Sequence, residues 1–477
     1  MFLLLLTVMK KHLPIATAAL ALFLFSAFHL NTGSKKDFTP KNDSAAVSMI
    51  YAEALAGGKA YENLRYLCKN IPPRLSGSPG AAAAVEYTYQ LMQNLGLDSV
   101  WLQPCMVPHW ERGDKETGKV VGSKNHGTVN MHIAALGGSL PTKEAGLKAE
   151  VIEVKSFEEL EKLGRKNIQG KIVFFNYPFN PTFHNGFEAY GDASRYRWMG
   201  PSAAEKHGAV GVLVRSMTHA LDTFPHTGVM RQDSLAATIP SAALSTVDAE
   251  ILSKLLIEEG TVSFFMKMNC RKYPDALSYN VVGEIRGSEK PEEIIVFGGH
   301  LDAWDTGEGA HDDGAGCMQA IEILRTFKAL GIKPKRTIRA VMWMNEENGG
   351  RGGDAYAAAA LKNKEKHIAA IESDAGGFSP RGFGMDMPNN QKEKIRSWSP
   401  YFYPWGVYDF TKNGGGADID PLKEQGCAQI GLHPDGQRYF DYHHTPNDIF
   451  ENVNKRELLL GAGSMAALVY LIDKYGL

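Results

Sequence analysis

No Cys-x-x-Cys pair occurs among the five cysteines (Cys68, Cys105, Cys270, Cys317 and Cys427), so neither a thiolate zinc site nor a disulfide framework is indicated. The odd count leaves at least one thiol free, and all five read as ordinary buried cysteines. An excess of charge is also missing: the formal net charge is −2, and no basic cluster with interleaved aromatics occurs. That excludes a nucleic-acid binder working through a broad basic field. Long low-complexity tracts are absent, and 44% hydrophobic residues is the composition of a soluble globular protein. At 477 residues the chain exceeds one ordinary core, so two domains and a leader are expected.

The leader is residues 1–33. Lys10-Lys11 precede an apolar run from Leu13 to Phe28, and polar Asn31–Asp37 follows, the pattern of a secretory signal. A membrane span needs ~20 apolar residues, and this run is shorter. Export to a periplasm or the medium is therefore expected. An uncleaved N-terminal anchor is the alternative, because no small-x-small cleavage site stands out.

Residues 40–129 begin with helical spacing over 45–67, broken at Gly57-Gly58. A turn-rich Pro72–Gly80 follows, with Arg74 as a surface loop cation and Ser78 as N-cap of a helix over 81–95. Gln103–Arg112 reads as an edge strand. Over 130–272 short strands (150–154, 171–175, 211–214, 262–266) alternate with helical pieces, and 176–200 reads as an aromatic-rich loop. This stretch is expected to be an inserted β-rich α+β domain. Residues 273–477 form the main part, with strands over 279–285, 294–297, 337–344 and 368–373 between helices. Asp354 and Asn454 read as helix N-caps. Alternating strands and helices with acids at successive strand ends imply an α/β fold: a doubly wound, mostly parallel sheet flanked by helices.

Three of those strand ends carry chemistry. Strand Ile294–Phe297 leads into a segment bearing His300, Asp302, Asp305, Glu308, His311, Asp312 and Asp313; the next ends in Glu346-Glu347, and the third in Asp374. The loop Tyr442–Asp448 adds His443 and His444. Two divalent ions ~3.5–4 Å apart need a shared carboxylate and further nitrogen and oxygen ligands on each side. This set supplies one bridge, two histidines and two more carboxylates, a mixture that suits zinc, with manganese or cobalt as substitutes. In the adjacent Glu346-Glu347 pair, one carboxylate binding metal leaves the other to take a proton from the acidified water. Asp302, two residues after His300, places a carboxylate to accept the other imidazole N–H and fix its tautomer.

The segments GGHLDAWDTGEGAHDDGAG, MNEENGG, ESDAGG and YHHTPND resemble family M28 of zinc peptidases in order, type and context. The likeness extends over nearly the whole chain after the leader, and the 130–272 stretch resembles a protease-associated domain. The resemblance implies two Zn2+ per chain: Asp312 bridging, His300 and Asp374 completing one site, Glu347 and His444 the other. His444 rather than His443 is implied because the family's last ligand precedes an acid by four positions, here Asp448. Glu346 would be the general base and Asp302 the support of His300, with a cis peptide between Asp312 and Asp313. An exopeptidase acting on dipeptides or other short peptides, as a homodimer with no nucleic-acid partner, is the implied function. An aminopeptidase of longer peptides and a non-catalytic peptidase-like binding protein are the alternatives.

Overall fold

The structure, a computed structural model, describes residues 38–231 and 233–477, so the expected leader lies outside the described residues. Two sheets organise the chain. After helices Asp43–Gly57, Ala60–Asn70 and Pro79–Asn94 comes strand β1 (Ser99–Glu111). Strands β2 (Thr117–Ser123), β3 (Gly127–Met131), β4 (Ile133–Ala135), β5 (Leu147–Val154), β6 (Ile172–Phe175), β7 (Gly211–Arg215), β8 (Ser241–Leu244) and β9 (Ser263–Lys267) follow. The last six are β10 (Arg271–Ile285), β11 (Lys290–His300), β12 (Arg336–Trp343), β13 (Lys366–Glu372), β14 (Pro380–Asp386) and β15 (Ala428–Pro434).

The larger sheet has the order β1-β10-β12-β11-β13-β15-β14. β12, β11, β13 and β15 are parallel to one another, while β1, β10 and β14 run antiparallel to their neighbours and close both ends. Period-two alternation makes it two-faced. Along β11, Ile295 and Phe297 enter one core with Ile338, Ala340 and Ile371; Ile294 and Val296 enter another with Val341, Trp343 and Ala370. The first core is covered by the three N-terminal helices, helix Ala315–Leu330 and the closing helix Lys455–Tyr475. Helix Arg351–Asn363 covers the second through Tyr356, Ala357 and Ala360. Helices on both faces give the doubly wound layering. The closing helix is long and apolar enough to cross a membrane, but it is packed inside the protein. All five cysteines are buried free thiols.

Local signals set several boundaries. Ser78 Oγ accepts the Ala81 N–H at 3.1 Å, and Asn454 Oδ1 accepts those of Arg456 and Glu457. Asp354 is not an N-cap: helix Arg351–Asn363 starts from Gly350 in left-handed backbone (φ 73°), and Asp354 sits within the first turn. Nor is Arg74 a surface cation. It is 3% exposed and donates to the carbonyls of Leu301, Glu308 and Gly309, inside the loop that follows β11.

The smaller sheet, ordered β3-β2-β9-β5-β6-β7-β8-β4, is parallel from β5 through β8 and antiparallel elsewhere. The chain leaves the larger sheet at Glu111 and returns at Arg271, which are partners in the β1–β10 ladder. Part of the expected aromatic loop is a helix, Gly186–Trp198, started by the Asn185 side chain accepting the Phe187 N–H. Its aromatic residues were hidden from periodicity because they face two neighbours: Phe187 and Tyr190 stack around Phe440, and Tyr196 packs on Phe157 and Phe175.

Candidate metal centre

Because β12, β11 and β13 are adjacent and parallel, their carboxyl ends lie side by side, the place where open α/β sheets bind ligands. β11 delivers His300, β12 runs through Met344-Asn345 into Glu346-Glu347, and β13 runs through Ser373 to Asp374. Asn345 turns the second of these in left-handed backbone (φ 77°). Asp302 Oδ1 holds that turn, accepting the Asn345 and Glu346 N–H groups at 2.6 and 3.2 Å. The expected support of His300 by the Asp302 carboxylate is therefore corrected. His300 Nδ1 lies 2.9 Å from the main-chain oxygen of Asp302, and the carboxylate, drawn to two amides, positions Glu346 instead.

Asp312 stands between two imidazoles. Its Oδ1 is 3.1 Å from His300 Nε2, and its Oδ2 is 3.3 Å from His444 Nε2. On one side Asp374 Oδ1 is 3.5 Å from His300 Nε2; on the other Glu347 Oε2 is 3.0 Å from His444 Nε2. Glu346 reaches over this group from a part-exposed position, Oε2 4.0 Å from His300 Nε2. The Asp312–Asp313 peptide is cis, and the Asp313 carboxylate accepts the His300 and Gly316 N–H groups. A side chain at Gly299 would occupy the place of that carboxylate, its Cβ 2.0 Å from Oδ2. Asp448 accepts the His311 and Asp312 N–H groups and so fixes the Asp312 main chain from the last loop.

Charge in this space is unbalanced. Burial, with Asp374, Glu347 and Asp312 adding to it, pushes Glu346 well above the usual carboxylate range. Burial and Asp312 push Glu347 up to about 7. Burial also raises Asp374, whereas for Asp312 the pull of His300 and His444 outweighs burial and holds it well below the usual range. Burial alone would lower His300, yet Asp374 and Asp312 bring it well above its usual value. Two buried oxygens, Asp312 Oδ2 and Asp374 Oδ1, have no hydrogen-bond donor. Donor atoms of His300, Asp312 and Asp374 lie within 4.8 Å of one another, as do those of Asp312, His443 and His444. Crowded carboxylates, imidazole nitrogens and orphaned oxygens fit divalent cations, whose charge relieves the repulsion.

The model of peptidase family M28 matches residues 280–469. Carboxypeptidase Q of Bos taurus is 35% identical over 420 residues, covering 87% of this chain and 86% of the relative. The chain belongs to peptidase family M28. A peptidase M28 precursor from Shewanella amazonensis, 31% identical, superposes with a TM-score of 0.85 over 90% of this chain and 96% of the other. A zinc aminopeptidase from Bacillus subtilis, 21% identical, shares the fold, with a TM-score of 0.62 over 87% of this chain and 95% of its own. This M28 member is accordingly a peptidase, a hydrolase.

Within this M28 centre the structure brings together His300, Asp312, Glu346, Glu347, Asp374 and His444, and sets Asp302 behind them. His443, passed over in favour of its neighbour, lies there too: its ring stacks on His444 at 3.5 Å, and Nε2 is 3.6 Å from Asp312 Oδ2. Three further polar residues of the β11 loop have partners of their own. Asp305 pairs with Arg112, Glu308 with Lys69, and buried His311 stacks on Phe378. Sequence reasoning missed Glu372 and Asp418, buried acids next to the centre. Burial and Asp374 push Glu372 up to about 8, and burial and Glu372 raise Asp418. Glu372 carried a signal, since it ends a buried strand two residues before Asp374, and Asp418 lies in the glycine-rich segment Gly414–Ile419. Beside Asp374 opens a cavity of about 350 Å³, bounded by Glu372, Asn413, His433 and, from the smaller sheet's side, Asn185 and Phe187.

Proposed function

We propose that the protein is a di-zinc exopeptidase hydrolysing dipeptides and other short peptides. The observation that carries this reading is the placement of Asp312, whose two carboxylate oxygens face different imidazoles, as a bridging ligand's must. His300, Asp312 and Asp374 would hold one ion; Asp312, Glu347 and His444 the other. When bound, the zinc pair supplies Lewis-acid polarisation of the scissile carbonyl and acidification of the attacking water.

The chain's own groups do the rest. Glu346, held through its own amide by Asp302, faces the centre from a part-exposed position, where it takes the proton of the attacking water and returns it to the leaving amine. Burial, with Asp374, Glu347 and Asp312 adding to it, raises this carboxyl above its usual range. The cavity beside Asp374 is also lined by Asn185 and Phe187, which limits the room for substrate and favours short peptides. In the same reading residues 130–272 form a protease-associated insert, the chain is exported, and it pairs as a homodimer.

The test is a panel of dipeptides, tripeptides and terminally blocked analogues, incubated with zinc-loaded protein. Hydrolysis confined to the shortest substrates supports the reading. Equal cleavage of long peptides with a free amino terminus replaces it with an aminopeptidase. No hydrolysis by protein carrying two ions removes the catalytic reading.

A further inference from the structure

One of the proposed ligands is held from the smaller sheet's unit. Thr227, in the segment between β7 and β8, is bonded to His444 in both directions: its N–H donates to the His444 carbonyl at 3.0 Å, and its own carbonyl lies 3.2 Å from His444 Nδ1. A carbonyl at Nδ1 makes that nitrogen the donor and leaves Nε2, which faces Asp312 and Glu347, free to accept. A main-chain carbonyl positions a ligand only as well as its own residue is fixed, and two buried arginines fix this one. Arg197 Nη1 donates to the Thr227 carbonyl at 3.2 Å. Arg112 Nη2 donates to Thr227 Oγ1 at 3.3 Å and to Asp305 Oδ1, in the loop after β11, at 2.7 Å. Thr227 Oγ1 in turn donates to the Ala135 carbonyl, which Arg112 Nη1 also binds.

Arg197 does more than hold a carbonyl. Its Nη2 donates to Tyr190 Oη at 2.5 Å, its guanidinium lies over the Tyr190 ring, and that ring meets His443 edge-on with centroids 4.9 Å apart. One side chain thus braces the backing of His444 and the flank of His443. No other charged group donates to this carbonyl among the described residues.

We propose that Arg197 is a positioning residue of the metal centre, acting through Thr227 on His444, so that the ion site completed by Glu347 and His444 depends on the smaller sheet while the His300 site does not. The inference rests on the two-ion reading above. A partner that orients a ligating imidazole is worth ~10–100-fold in metal affinity. A loss of that size, confined to one of two ions, is therefore the signature.

The experiment is titration of the metal-free full chain with Zn2+ by calorimetry and with Co2+ by visible absorption. The proteins are wild type, His444→Ala as reference, Arg197→Met and Arg197→Lys. Arg197→Met is expected to weaken, by ~10–100-fold, the same uptake step that His444→Ala removes, and to alter the Co2+ spectrum of that step alone. Arg197→Lys, which can still donate one bond to the carbonyl, is expected to restore part of the loss. It also carries the test if the methionine variant fails to fold. Wild-type affinities and spectra in both arginine variants overturn the inference. So does equal weakening of both steps, which marks general loosening. Fewer than two ions on wild type, or no step lost in His444→Ala, overturns the two-ion reading and this inference with it.

Discussion

At the scale of single residues, the proposed mechanism separates groups that would hold the ions from one that would move protons. Glu346 is set apart by its partial exposure and by the hydrogen bond its main-chain N–H donates to Asp302, whereas Glu347 is buried against His444 and the Trp304 N–H. Glu346→Gln should keep both ions, measured by metal analysis, and lose ~10²–10⁴-fold in kcat. Near wild-type turnover would remove the base assignment. Arg74 offers a test of a different kind, because among the described residues no other cation donates to the carbonyls of Leu301 and Glu308, which it satisfies from a buried position. Arg74→Met should cost roughly 3 kcal/mol, by the penalty for buried acceptors left without donors, read as a lowered denaturation midpoint. Arg74→Lys should recover only part, since one ammonium cannot match the spread of a guanidinium. Which residues gather was legible where the side chain sits at or just past a strand end: His300, Glu346-Glu347 and Asp374 each come at the end of an apolar strand. Asp302 was legible as important but not in its task, because the spacing His-x-Asp does not say whether carboxylate or carbonyl meets the ring.

At the scale of elements, the strands and the helix starts were readable from alternation and capping residues, as Ser78 and Asn454 illustrate. What resisted were contacts between elements. The backing of His444 runs through a main-chain carbonyl at Thr227, more than two hundred positions away, and a carbonyl has no sequence signature. The helix over Gly186–Trp198 was hidden because its aromatics serve two different neighbours. A buried imidazole between strand and helix gives this scale its prediction. His367 on β13 faces Tyr356 of helix Arg351–Asn363, whose hydroxyl lies 2.8 Å from Nε2 and 3.1 Å from Arg339 Nη1. Burial, and then the charge of Arg339, holds this histidine down to about 3. The unfolded chain binds a proton here as pH falls through ~6.5, and the folded chain only near 3, so the contribution is whole above ~6.5 and is lost progressively below it. The slope from this one group is at most ~1.4 kcal/mol per pH unit. Denaturation midpoints measured from pH 7.5 to 4.5 should fall less steeply for His367→Gln than for wild type; parallel lines would show that the group does not titrate with folding.

At the scale of the whole molecule, the metal centre is where the larger sheet, the last loop and the smaller sheet's unit meet, so ion occupancy and global stability are linked. Removing zinc with a chelator should abolish hydrolysis and lower the thermal midpoint. Zinc restored at ~100 times its dissociation constant should return about 2.7 kcal/mol for each site filled. An unchanged midpoint would show that the ions bind a centre whose repulsion is already relieved.

The pairing of Glu111 with Arg271 also bears on the order in which the chain folds. The two strands that meet there are separated by roughly 160 residues, and closing so long a flexible loop costs about 4–5 kcal/mol of chain entropy before any ladder bond forms. A smaller sheet that has already collapsed shortens that loop to the distance between its own ends, so β1 and β10 zip cheaply only after it is in place. In pulsed hydrogen exchange during refolding, amides of β5, β6 and β7 should therefore gain protection before those of β1 and β10. Simultaneous protection would mean that the larger sheet draws its edge together without that help. By this route the segment that interrupts the larger sheet is also what lets its edge strand and the neighbour of that strand find each other.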